Sequence, residues 1–195
     1  GDKESLSGPG SNLKYTENLR SKLPELIDNY NISAMLDAPC GDFHWFQHIR
    51  FNQPLDYIGA DIVEPMIEKL QKQYTNEHRQ FQVLDITADP LPDVDLWMCR
   101  DCLFHLSDEM IYKALANYLK SDIPYLFTTT FPQYKENPDI VTGSSRRLNL
   151  QADPFNFPPP LLKIDDWIEG FPERYIALWE KSQVQQAMAD NPHFQ

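Results

Sequence analysis

The chain has 195 residues, 42% of them apolar, and a formal net charge of −12. This length and apolar fraction exclude disorder as a whole and supply core enough for one domain without disulfide staples. The charge opposes polyphosphate chains and anionic lipid surfaces, and no apolar run approaches the roughly 20 residues a membrane span needs, so neither nucleic acid nor membrane is an expected partner. Cys40, Cys99 and Cys102 are too few for a disulfide framework. With no secretory signal pattern, they suit a reducing cytoplasm. The first residue is Gly1 rather than Met, so residues 1–6 are read as a tag remnant or fragment edge and left out of the fold reading.

Ser7 to Ser11 has loop chemistry. From Tyr15 to Tyr30 the residues Leu19, Leu23, Leu26 and Ile27 share a helical face, and Pro24 should break that helix, because it lacks an N–H and crowds the preceding turn. Ser33 to Leu36 reads as a first buried strand, followed by the turn Asp37 to Phe43 and a helix start over His44 to Ile49. Tyr57 to Asp61 is a second strand, and Glu64 to Tyr74 a helix that tolerates Pro65 in its first turn. Gln80 to Leu84 and Asp95 to Cys99 are the third and fourth strands. Ser107 caps a helix whose inner face is Met110, Ile111, Ala114, Leu115 and Tyr118. Tyr125 to Phe131 is a fifth strand.

Strand and helix alternate to residue 131, which is the pattern of a parallel sheet with right-handed crossovers. Residues 132–160 then hold six prolines and no helical period. Leu161 to Ile164 and Tyr175 to Val184 read as an antiparallel edge pair, with Gln185 to Gln195 a frayed helix or disordered tail. The fold class expected is therefore α/β: a Rossmann-like, mostly parallel sheet, helices on both faces, and an antiparallel C-terminal edge pair.

Ligands of such sheets sit beyond the carboxyl ends of the strands, where strand order reverses. Gly41 allows close backbone approach there. Asp61 lies 24 positions after Asp37, near the spacing at which an acid meets a ribose. Asp85 ends the third strand and can accept from an adenine amino group. Each acid also has a plainer reading, as a cap, a strand-end carboxylate or a turn former. Three acids around one crevice favour a cationic cofactor.

Asp37-Ala-Pro-Cys-Gly41, Tyr57-Ile-Gly-Ala-Asp61, Val83-Leu-Asp85-Ile86 and Asp95 to His105, in that order, resemble the motifs of class I S-adenosylmethionine-dependent methyltransferases. The likeness covers residues 33–131, and the last two strands resemble that family's terminal hairpin. It implies a single methyltransferase domain over 1–195, made of an N-terminal loop and helix (1–30), a cofactor core (33–131), a Pro-rich acceptor loop (132–160) and terminal strands (161–184). It also implies S-adenosyl-L-methionine as cofactor. Asp37, Ala38, Cys40 and Gly41 fall on the methionine side, Asp61 and Ile62 at the ribose, Asp85 and Ile86 beside the adenine. Arg100, Asp101 and Cys102 then face the methionine or the acceptor, and residues 1–15 close over the cofactor. Two features depart from the family. Pro39 and Phe43 stand where further glycines are usual, and the helix after the fifth strand is replaced by the Pro-rich loop.

His105 is a candidate general base, with a histidine bonded to backbone as the alternative; Asp101 can orient it or take the proton itself. Arg146 and Arg147 can clamp an acceptor carboxylate or phosphate, or form a solvated loop pair. Phe155, Phe157 and Trp167 either roof the acceptor pocket or tie the loop to the core. Cys99 and Cys102 have redox spacing without a redox context, and Cys40, His44, Cys102 and His105 make a poor zinc set, so no metal is expected. The expected activity is methyl transfer to oxygen or nitrogen of a small acceptor such as a sugar or metabolite, in the cytoplasm. A nucleotide-cofactor oxidoreductase or a non-catalytic ligand-binding domain of the same fold are the alternatives; against the first, no G-x-G-x-x-G follows the first strand.

Overall fold

Apolar residues of both parities along the strands require both faces of a sheet to be covered, and the computed structural model, which describes residues 4–189 and 191, shows how. Strands β1 (Ala34–Asp37), β2 (Asp56–Asp61), β3 (Arg79–Val83), β4 (Leu96–Cys99), β5 (Tyr125–Thr130), β6 (Leu162–Asp165) and β7 (Tyr175–Glu180) form one sheet in the order β3-β2-β1-β4-β5-β7-β6. All pairings are parallel except those of β7, which runs antiparallel to β5 and β6. The mostly parallel sheet with its antiparallel edge pair is as expected from the pattern.

Alternate residues of the central strands enter two separate cores. Leu36, Trp97, Leu126, Ala177 and Trp179 meet helix α3 (Asp108–Lys120) and helix α4 (Lys181–Ala189) on one face. Met35, Leu96, Met98, Phe127, Ile176 and Leu178 meet helix α1 (Glu17–Asn29) and helix α2 (Glu64–Tyr74) on the other. Each large apolar side chain so buried contributes about 1.5–3 kcal/mol.

Several local expectations are corrected. Helix α1 runs through Pro24 without a break. A mid-helix proline costs about 3 kcal/mol, but Leu19, Leu23, Leu26 and Ile27 are all buried on one face, and their packing outweighs the lost turn. The segment after Phe43 forms only a 3-10 turn, Phe46–His48. Strand β7 ends at Glu180 and α4 begins at once, so Val184 is a buried helical residue rather than a strand residue. Ser5 and Leu6 are bonded to the turn after β1, as described below; of the expected tail, residues 190 and 192–195 lie outside the described residues.

The long connection from β5 to β6 has no helix or strand, yet it is packed. Leu148, Leu150, Phe155 and Phe157 are buried in the α3/α4 core, where a helix would otherwise lie. Asn137 and Asn149 supply the hydrogen bonds that regular structure would have given: Asn137 Nδ2 donates to the Asn149 carbonyl at 2.8 Å, and Asn149 Nδ2 to the Tyr134 carbonyl at 2.7 Å. Phe157 meets Trp179 edge-on at 5.4 Å between ring centroids and Phe155 lies 5.5 Å from Tyr112, so these two tie the loop to the core.

Candidate active site

From β1 the chain steps outward to β2 and β3, then returns to the other side of β1 as β4. The strand order thus reverses between β1 and β4, and a cavity of about 310 Å³ opens beyond their carboxyl ends. Asp37 and Asp61 stand at the last positions of β1 and β2, and Arg100 and Asp101 follow β4 directly. All four line the cavity, together with Cys40 and Gly41 of the turn after β1.

The turn is built for close approach. Gly41 has φ 56°, and a Cβ there would lie 2.2 Å from Ser7 Oγ. Phe43, at a position where the resemblance would put glycine, also holds a left-handed φ of 59°. That conformation costs a side-chain-bearing residue about 1–2 kcal/mol. Its ring is 1% exposed and packs on Phe46, Tyr57, Tyr74 and Phe81, which offsets the strain.

Asp37 is 2% exposed and accepts a hydrogen bond from the Tyr57 hydroxyl at 2.8 Å. Burial pushes its carboxyl up to about 7, against the opposing pull of that hydroxyl and of Arg100. Asp61 accepts from the Gly41 N–H at 3.2 Å with Oδ2 and from the Val63 N–H at 3.1 Å with Oδ1. A carboxylate has about four acceptor positions, so Asp61 keeps lone pairs for a ligand's hydroxyls. Ile62, next to it, is 66% exposed.

On the other side, Arg100 and Asp101 belong to a buried network. Arg100 Nε and Nη2 donate to the two oxygens of Asp166 at 3.0 and 2.9 Å, and Nη2 also to the Gly10 carbonyl at 2.7 Å. Arg174 Nη2 donates to Asp101 Oδ2 at 2.8 Å and lies 3.3 Å from Asp166 Oδ2. Tyr15 closes the network by donating to the Asp166 carbonyl at 3.2 Å.

The N-terminal segment crosses the turn. Ser5 Oγ donates to both Asp42 oxygens at 3.0 and 2.9 Å, and the Leu6 N–H donates to Asp42 Oδ2 at 2.6 Å. The Asp42 N–H in turn donates to Ser7 Oγ at 3.0 Å. Leu6, Ser7 and Ser11 therefore line the cavity with Trp45, Val63 and Met66. Leaving residues 1–6 out of the fold reading missed this, because a short polar segment carries no periodic signal; only the resemblance pointed to a closing N-terminus.

Other expected residues are not brought to the cavity. Asp85 Oδ1 accepts from the N–H and Oγ1 of Thr87 at 2.8 and 2.7 Å, the turn-forming arrangement, and Ile86 packs into the core. Ala38 is buried, its carbonyl accepting from Trp97 Nε1 at 3.0 Å. His105 Nδ1 faces the Ser144 carbonyl at 2.7 Å, the backbone-bonded arrangement. Arg146 is buried, with Nη2 2.6 Å from Asp108 and further donors bonded to the Pro138 and Leu106 carbonyls. Arg147 is exposed and lies over the Phe131 ring at 5.5 Å. Burial pushes the Cys99 thiol well above its ordinary range, with Cys102 beside it, so it packs as a small hydrophobe. Among the described residues, no group of three or more His, Cys, Asp or Glu side chains is placed to hold a metal ion, and no helix is long and apolar enough to cross a membrane.

The sheet order, the reversal point and the strand-tip acids together define the fold of the class I S-adenosylmethionine-dependent methyltransferases. Residues 35–122 of the chain match the family model described as a methyltransferase domain. Among solved structures the chain is similar to PigF with S-adenosylhomocysteine, at a TM-score of 0.61 and 16% identity, covering 86% of this chain and 56% of PigF. It is also similar to the N-methyltransferase NodS from Bradyrhizobium japonicum WM9 in complex with S-adenosylhomocysteine, at 0.60 and 14%, covering 90% of this chain and 89% of NodS. Human N-acetylserotonin methyltransferase in complex with S-adenosylmethionine gives 0.57 and 15%, with 89% and 60% covered. At these identities the likeness is one of fold, and the chain spans less than two thirds of the length of PigF and of the human enzyme. No curated protein matches the chain by sequence.

Proposed function

We propose that this chain transfers a methyl group from S-adenosylmethionine to an oxygen or nitrogen atom of a small acceptor, such as a sugar or metabolite. The observation that carries the reading is the convergence of Asp37, Gly41, Asp61 and Asp101 on one cavity at the strand-order reversal. The residues present fit such a group. Asp61 has lone pairs for ribose hydroxyls beside the exposed apolar Ile62, and Gly41 leaves room no side chain could share.

In this reading Asp61 and Ile62 hold the ribose, while Asp37, Ala38, Cys40, Gly41 and Arg100 shape the methionine side. Asp85 and Ile86, which lie outside the cavity lining, are assigned to the adenine by the resemblance alone. When bound, the cofactor supplies an electrophilic methyl on a sulfonium. The protein orients the acceptor lone pair in line with it and excludes water. Asp101, which lines the cavity, is better placed than His105 to receive the proton an acceptor hydroxyl or amine gives up. Arg147, exposed where Arg146 is internally paired, is the member of that pair left to meet an acceptor.

Calorimetry with S-adenosylhomocysteine and with NAD tests the reading. Binding of the former with a single site is expected, and Asp61→Ala should weaken it about 10- to 100-fold, the worth of hydrogen bonds to a charged group. Binding of NAD alone would overturn the methyltransferase assignment in favour of an oxidoreductase.

A further inference from the structure

The cavity's charged lining consists of Asp37, Asp61, Asp101 and one cation, Arg100, among the described residues. Arg100 has no charge to spare. Its side chain is 4% exposed, its fork is taken by Asp166, and its remaining polar contacts among the described residues are the Gly10 carbonyl and Asp101. Arg100, Arg174, Asp101 and Asp166 form a group of four with no net charge, and Asp166 is its wholly buried member.

Within that group the two oxygens of Asp101 differ. Oδ2 is held by Arg174 at 2.8 Å and by Arg100 at 3.4 Å. Among the described residues, Oδ1 has only a long bond from Thr129 Oγ1, at 3.3 Å. The backbone is fixed as well: Asp101 holds a left-handed φ of 55°, and its N–H donates to Thr129 Oγ1 at 3.0 Å. Gly10 is packed so closely that a Cβ there would lie 2.9 Å from Asp101 Oδ2. A strained, doubly clamped carboxylate with one oxygen underused, on the wall of a ligand cavity, is set to meet a positive centre.

We propose that Asp101 discriminates the charge of the bound ligand, favouring a sulfonium donor over its neutral thioether product, with Asp166 and Arg174 as positioning residues that fix its clamped oxygen. The inference rests on the methyltransferase reading and deepens it. In methyl transfer the acceptor lone pair forms the new bond to the methyl carbon while the S–CH₃ bond breaks with its electron pair staying on sulfur, so the thioether product lacks the charge that Asp101 attracts, and its release is favoured. Asp37 and Asp61 are assigned to parts of the ligand common to donor and product, so replacing either should weaken the two ligands more evenly than replacing Asp101.

The test is calorimetry with S-adenosylhomocysteine and with sinefungin, a stable analogue that carries an ammonium where the donor carries its sulfonium methyl. Asp101→Asn should weaken sinefungin about tenfold and S-adenosylhomocysteine less than twofold. Arg174→Lys keeps the charge but loses the fork, and should shift the ratio of the two affinities in the same direction by a smaller factor. Asp166→Asn should collapse the ratio; circular dichroism checks its folding, and Arg174→Lys carries the positioning arm if it does not fold. Equal weakening of both ligands by Asp101→Asn, or of neither, overturns the inference and leaves the methyltransferase reading standing. No binding of S-adenosylhomocysteine to the unaltered protein removes both.

Discussion

Asp37→Asn isolates the cost of placing a carboxylate at the buried tip of β1. Burial raises the Asp37 carboxyl from 3.8 to about 7. The folded state therefore holds a proton that the unfolded chain has lost over that interval, so stability falls as pH rises through it. The fall is about 1.4 kcal/mol per pH unit, reaching about 4 kcal/mol above pH 7 and levelling off there. Asparagine keeps an acceptor for the Tyr57 hydroxyl, now at 2.8 Å from Asp37, and has no charge to bury. Urea unfolding of the two proteins from pH 4 to pH 9 should show near-equal stability at the acid end and Asp37→Asn ahead by roughly 2–4 kcal/mol at pH 8. A difference that does not change with pH, or an Asp37→Asn that loses stability as pH rises, would refute the argument that desolvation dominates this site.

Two further outcomes follow from the packing. Arg146→Ala leaves Asp108 without the partner now 2.6 Å away, so it should cost about 3 kcal/mol in denaturant unfolding while leaving S-adenosylhomocysteine affinity unchanged; a lost affinity without lost stability would mark Arg146 as a ligand residue. Asp42→Ala removes the carboxylate that accepts from Ser5 and Leu6, and should free the N-terminal segment to limited proteolysis at least several-fold faster in the unliganded protein; unchanged cleavage would mean that the contacts left, Glu4 with His44, the backbone N–H of residue 42 on Ser7 and Arg100 on Gly10, hold the segment without the carboxylate.

The sheet was legible in the sequence because its strands are apolar at both parities and end in Asp37, Asp61 and Cys99-Arg100-Asp101, so element type and strand-tip chemistry are written locally. Helix α2 is matched residue for residue, since Glu64-Pro65 starts it and a regular apolar face carries it to Tyr74. The Pro24 break was misread because propensity is a local quantity, whereas the four apolar residues that keep α1 continuous act through contacts with the sheet. The end of β7 was misread because Val184 suits a strand or a buried helix equally well.

The sequence by itself determined the class of fold and the identity and order of the strand-tip acids, because those depend on patterns a few residues long. Only the tertiary structure decided which acids share a cavity. Asp37, Asp61 and Asp101 are brought to one crevice by strand order, while Asp85 is turned into its own Thr87 bonds. It also decided which arginines are spent: Arg146 on Asp108, Arg100 and Arg174 on Asp166. Partners 66 and 73 residues apart, as in Arg100–Asp166 and Asp101–Arg174, leave no spacing to read, since hydrogen-bond geometry is set by how the sheet folds and not by distance along the chain.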